Sequence, residues 1–105
     1  MVNPGDRIVN QNESTHRFEM VVNGGTAFLQ YHRGSDFVSL MHTEVPKELE
    51  GQGIGSELAK AGLEFARASS LKVVPLCPFV VAYIRRHPEY LELVQEKYRS
   101  RVTAG

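Results

Sequence analysis

At 105 residues, with 42% apolar side chains, the chain has room for one packed core and not for two. Twelve basic residues balance twelve acidic ones, so little long-range pull toward nucleic acid or an anionic membrane remains. The single cysteine, Cys77, rules out an internal disulfide framework, and no run approaches the ~18 apolar residues of a membrane span. The opening residues are polar and lack an apolar signal core, which makes the Asn12-Glu13-Ser14 sequon a chance match. These features predict a protein, cytoplasmic or otherwise intracellular, with no nucleic acid and no membrane partner; a monomer is expected, though no sequence feature fixes the oligomeric state.

Residues 1–15 show no clear period and read as a flexible N-terminal arm or a marginal strand, with a single domain over 16–105. From Phe18 the pattern alternates: Phe18, Met20 and Val22 point one way, Arg17 and Glu19 the other. Asn23-Gly24-Gly25 tolerates positive φ and predicts a tight hairpin turn. Ala27, Leu29 and Tyr31 resume the period, Arg33-Gly34-Ser35-Asp36 turns again, and Phe37 to Val45 is a third strand. After Pro46 a polar loop runs to Gly53. The period then becomes helical, with Ile54, Leu58, Ala61, Phe65 and Ala68 as its apolar stripe.

Leu71 to Cys77 reads as a short buried strand, splayed or edge-like at Pro75, which has no N–H to give to a ladder. Phe79 to Arg86 is a short helix. Pro88 opens another, with Tyr90, Leu91, Val94 and Tyr98 as its apolar side. The fold class is therefore α+β: an antiparallel β-meander followed by a β-loop-α-β-α unit on a mixed sheet.

Between the third strand and the helix lies Glu50-Gly51-Gln52-Gly53-Ile54-Gly55. Closely spaced glycines let a backbone approach an anion, and the free N–H groups of a helix start point at it. No Gly-Lys-Ser/Thr follows, so this is not a Walker loop, and the preceding meander does not suit a dinucleotide fingerprint. On spacing alone, a flexible turn with Gly55 permitting close helix packing explains the glycines as well.

Glu44-Val45-Pro46 with Gly51-Gln52-Gly53-Ile54-Gly55-Ser56-Glu57-Leu58 resembles the acetyl-CoA motif of the GNAT acetyltransferases. Leu76-Cys77-Pro78-Phe79 and Tyr83-Ile84-Arg85-Arg86-His87-Pro88-Glu89-Tyr90 resemble the minimal, single-domain YjdJ-like branch of that superfamily. The resemblance covers about His16 to Val94. It implies a shortened GNAT fold whose sheet is splayed to hold CoA. The strand ending Thr43-Glu44-Val45 would meet the pantetheine amides, and the backbone of Gly51, Gln52, Gly53, Ile54, Gly55 and Ser56 the pyrophosphate. One departure stands out: the motif's opening Arg or Gln is Glu50 here, whose carboxylate should point away from the phosphates.

The activity the resemblance implies is transfer of an acetyl group from acetyl-CoA, as cosubstrate, to a primary amine on a small molecule or a protein lysine. Cys77, where the splayed strand ends, is a candidate nucleophile or proton donor; the alternative is a small core residue. His42 and Glu44, two apart on a strand, share a face with Val38 and Leu40 and are candidates to deprotonate the amine. An exposed polar strand end accounts for them equally. Phe79 and Tyr83, four apart on a helix, would close over the pantetheine or pack in the core. Arg85 and Arg86 read as a solvated helix face, with CoA phosphates the alternative. His87 is a turn residue, and His16 and His32 lie at strand ends. Four histidines and one cysteine show no metal spacing, so no metal is predicted. Two other classes compete: an acyl-CoA sensor without turnover, and a structural adaptor in which the loop is only a connection.

Overall fold

The computed structural model describes residues 8–104. One five-stranded sheet has its strands side by side in chain order: β1 (Asn10–Asn12), β2 (Arg17–Val22), β3 (Gly25–Arg33), β4 (Phe37–Glu44) and β5 (Lys72–Pro75). The first three pairings are antiparallel and β4–β5 is parallel. β1 is the marginal strand of the two alternatives for the N-terminal segment, and residues 1–7 of the expected arm lie outside the described residues. Asn23 (φ 49°) and Gly24 (φ 83°) close the β2–β3 hairpin with two left-handed residues. That conformation matches the twist of the strands it joins.

The helices are α1 (Ile54–Ala68), α2 (Pro78–Arg86) and α3 (Arg99–Thr103). α1 crosses from β4 to β5, as a parallel pair requires, and packs on β2, β3, β4 and β5. Its buried stripe is Ile54, Leu58, Ala59, Gly62, Leu63 and Ala66. The expected stripe is thus corrected by about one residue: Phe65 and Ala61 lie at its margin and Ala68 is exposed. The rotation is set at Gly62, where a Cβ would come within 3.1–3.2 Å of Leu29 and Leu40. The missing side chain lets the helix sit close on the sheet. Phe18, Met20, Ala27, Leu29, Tyr31, Val38 and Leu40 complete the core from the strands. Burying each large member is worth about 1.5–3 kcal/mol, enough for one well-packed sheet face to hold the domain.

The predicted single helix after Pro88 does not form. A 3₁₀ turn over Pro88–Leu93 ends at Val94, which turns extended and bridges Val73 of β5. Gln95 N–H then donates to Val73 C=O at 2.9 Å. A second 3₁₀ turn, Glu96–Tyr98, leads into α3. The free edge of β5 outbids helical periodicity, because its unpaired backbone groups need partners.

The Pro88–Leu93 turn docks on α1 through a part-buried hydrogen bond, Tyr90 Oη donating to Glu64 Oε2 at 2.6 Å. Burial, and then the Glu64 contact, push the Tyr90 phenol up to about 12. Because the folded value exceeds the unfolded one near 10, the stabilisation is complete below pH ~10 and is lost as pH rises toward 12. Denaturant titrations across that range should show wild-type stability falling more steeply than that of Tyr90→Phe; parallel curves would remove the linkage.

Candidate functional site

The parallel ladder ends at Leu40↔Pro75, where Leu76 and Cys77 N–H both donate to Leu40 C=O at 3.0 Å. β4 continues to Glu44, while beyond Pro75 the chain turns into α2, with Cys77 as N-cap and Pro78 in its first turn. The sheet therefore opens at this point, leaving one edge of β4 without a strand beside it. A cavity of about 590 Å³ fills the opening. Thr43, Glu44 and Val45 form one wall and the loop from Leu49 to Ser56 another; Phe79 and Arg86 of α2 face them.

The loop is built by two left-handed glycines, Gly51 (φ 84°) and Gly53 (φ 76°). A Cβ at either would meet nothing within 4 Å, so conformation and not crowding requires glycine there. Gly53 is the N-cap of α1, and no side chain caps that end. The first intrahelical bond runs from Glu57 N–H to Gly53 C=O at 3.1 Å. The preceding N–H groups of the helix turn have no intrahelical acceptor, and Ile54, Gly55 and Ser56 line the cavity. This open helix start carries positive partial charge, the kind of end at which anions are favoured. Gly55 serves differently. The Phe79 ring lies over it, and a Cβ there would fall 2.8 Å from Phe79 Cζ.

Of the residues expected around a nucleotide-type ligand, Thr43, Val45, Gly51, Gly53, Ile54, Gly55, Ser56 and Phe79 do line this cavity. Gln52 is exposed and stands outside its wall. Tyr83 is a correction: it lies buried beyond the wall, its ring 4.3 Å from that of His87 and 6.1 Å from that of Tyr90. Burial, and then Glu89, push its phenol up. Glu44, of the strand end expected to meet the pantetheine, also lines it, and Leu49 joins the wall without having been expected there. Leu49 carried a signal, as the lone large apolar residue in a polar loop. Glu50, the departure from the motif, is exposed and borders the cavity.

His42 and Glu44 also depart from expectation. The pairing of β3 with β4 shifts after Gln30: Gln30 faces His42, but Tyr31 faces Leu40, which leaves Met41 as an extra residue on β4. This bulge reverses the alternation. Leu40 points into the core, whereas His42 and Glu44 share the opposite face with their partners Gln30 and Phe28. There His42 Nε2 lies 3.5 Å from Glu44 Oε2, and the His42 ring meets Phe28 edge-on at 6.1 Å. Thr43, paired with Leu29, faces inward instead. Its Oγ1 is 3.3 Å from Cys77 Sγ. Cys77 is buried, 4% exposed, and lies behind Thr43, not in the cavity wall.

Among the described residues, no helix is long and apolar enough to cross a membrane, and no group of three or more His, Cys, Asp or Glu is placed to hold a metal ion. The fold and cavity define a small α+β protein with a glycine loop and an open helix start at the opening of a mixed sheet. A model of the GCN5-related N-acetyl-transferase family matches residues 17–93, most of the chain, and the protein belongs to that family. Strands β2 to β5, the loop and the cavity all lie within the matched span.

Proposed function

We propose that the protein transfers an acetyl group from acetyl-CoA to a primary amine. The observation that carries this reading is the cavity itself. It joins the unpartnered end of β4 to the uncapped start of α1, so one channel offers backbone partners for amides and N–H groups for phosphates. Gly51 to Ser56 would hold the pyrophosphate, Thr43 and Val45 the pantetheine amides, and Phe79 the apolar flank. Acetyl-CoA supplies the activated acetyl group.

The amine enters from the face of the sheet opposite α1, where His42 and Glu44 stand exposed as a pair. That pair takes a proton from the ammonium, and the free amine attacks the thioester carbonyl. After the amine attacks, its nitrogen gives up its second proton through His42 and Glu44 to solvent. As the carbon–sulfur bond breaks, the departing thiolate takes a proton from Thr43 Oγ1, the Cys77 thiol restores it, and Cys77 regains its own from water once the products leave. The burial of Cys77 behind Thr43 favours this proton-donor role over attack on the acetyl group. Glu44 and Glu50 in the wall support a second reading, an acyl-CoA-binding module without turnover.

Calorimetric titration with CoA and acetyl-CoA, followed by mass spectrometry of the protein after acetyl-CoA exposure, tests the reading. Micromolar binding, product amide from a simple primary amine and no acetyl adduct on Cys77 are expected. An adduct at Cys77 would replace direct transfer by a covalent route. Binding without amide would establish the sensor, and no binding would remove both readings.

A further inference from the structure

Arg85 and Arg86 are adjacent at the end of α2 and so lie about 100° apart around the helix. The structure gives them separate tasks. Arg85 reaches the end of α3, donating from Nη2 to the Arg101 and Ala104 carbonyls at 3.0 and 2.9 Å and from Nε to the Val102 carbonyl. It ties the C-terminal helix to α2. Arg86 goes the other way: it is exposed and lines the cavity, its guanidinium 6.0 Å from the centre of the Tyr83 ring.

The remaining charged residues of that wall are Glu44 and Glu50. The glycine loop opens on an acidic residue, Glu50, where a positive charge would suit a phosphate-bearing ligand, while the Glu44 carboxylate pairs with His42 on the opposite face of the sheet. The N–H groups of α1 offer only fractional positive charge. Arg86, on the wall facing the loop, is the one full cation among the described residues lining the cavity. A guanidinium offers paired donors matched to phosphate oxygens.

We infer that Arg86 binds the pyrophosphate of coenzyme A from the α2 side, supplying across the cavity the positive charge that the loop lacks at Glu50. The assignment rests on the acetyl-CoA reading and adds a specificity residue to it. It makes the ligand-binding site a clamp between the α1 N-terminus and the α2 C-terminus, not a loop acting alone.

Calorimetric titration of wild type, Arg86→Ala and Arg86→Lys with CoA, 3′-dephospho-CoA and pantetheine tests this. Because Arg86 is exposed, the alanine variant should keep the wild-type melting temperature. It should bind CoA and 3′-dephospho-CoA about tenfold more weakly, the scale of one charged hydrogen-bonding contact, with pantetheine affinity unchanged. Arg86→Lys should recover part of the loss, since it restores charge but not the paired donors. Three outcomes overturn the assignment while wild-type CoA binding preserves the parent reading. They are unchanged CoA affinity in Arg86→Ala, a loss confined to CoA that spares 3′-dephospho-CoA, and an equal loss for pantetheine. Failure of the wild type to bind any of the three removes the parent reading and this one with it.

Discussion

Gly53→Glu should leave a folded protein that no longer binds coenzyme A, with affinity reduced by about 100-fold or more, or ~2.7 kcal/mol. Gly53 caps α1 with φ 76° and has open space where a Cβ would stand, so the new side chain enters the cavity without colliding with the core. It carries a negative charge to the start of the helix, where the phosphates are proposed to lie, in a cavity that Glu50 also lines. Like charges a few ångströms apart in a partly enclosed site repel by about 1–4 kcal/mol. The substitution also forces a non-glycine residue into the left-handed region, at a cost of about 1–2 kcal/mol. Gly53→Ala isolates that second effect: it should lower stability similarly yet weaken CoA binding by less than about tenfold. Equal affinities for wild type and Gly53→Glu, measured by calorimetry on protein of verified fold, would show that the loop does not hold the phosphates.

Cys77→Ala should lower the turnover number by about 100-fold while CoA affinity stays within about twofold of wild type. The magnitude is that of one lost proton donor. The thiol touches Thr43 Oγ1 at 3.3 Å and stands outside the cavity wall, so its removal leaves the ligand-lining surface in place. Thr43→Val should reproduce the loss, because it removes the hydroxyl between the thiol and the cavity. Cys77→Ser keeps a proton donor at the same position and should recover much of the rate. Full activity in Cys77→Ala would return Cys77 to the role of a small core residue at the α2 N-cap. A defect in Cys77→Ala that Thr43→Val does not share would break the proposed relay while keeping the cysteine in the chemistry.

Strands β2 and β3 were legible because each follows local rules. Phe18, Met20 and Val22, then Ala27, Leu29 and Tyr31, alternate with polar neighbours, and Asn23-Gly24 provides the two left-handed residues a short hairpin needs. The glycine loop was legible for the same reason. Positive φ at Gly51 and Gly53 is a property of single residues, and a following helical period announces the open N–H groups that line the cavity. Pro75 likewise marked where β5 gives out, since a residue without an N–H cannot continue a ladder.

What the sequence by itself determined is thus the α+β class, the chain order of most elements and the position of the glycine loop between strand and helix. Only the tertiary structure decided which side chains meet there. The bulge at Met41 is a mismatch between two strands, invisible in either alone, yet it turns His42 and Glu44 away from the face of Leu40 and brings Thr43 to Cys77. Val94 leaves a helical pattern because the open edge of β5 takes it, a pairing across 21 residues. Tyr83 sinks beside Tyr90 instead of lining the cavity, and Arg86 reaches the cavity while Arg85 does not, because helix rotation is fixed by packing partners remote in sequence. Local preference sets what each segment becomes; non-local burial and backbone pairing set which way its side chains face.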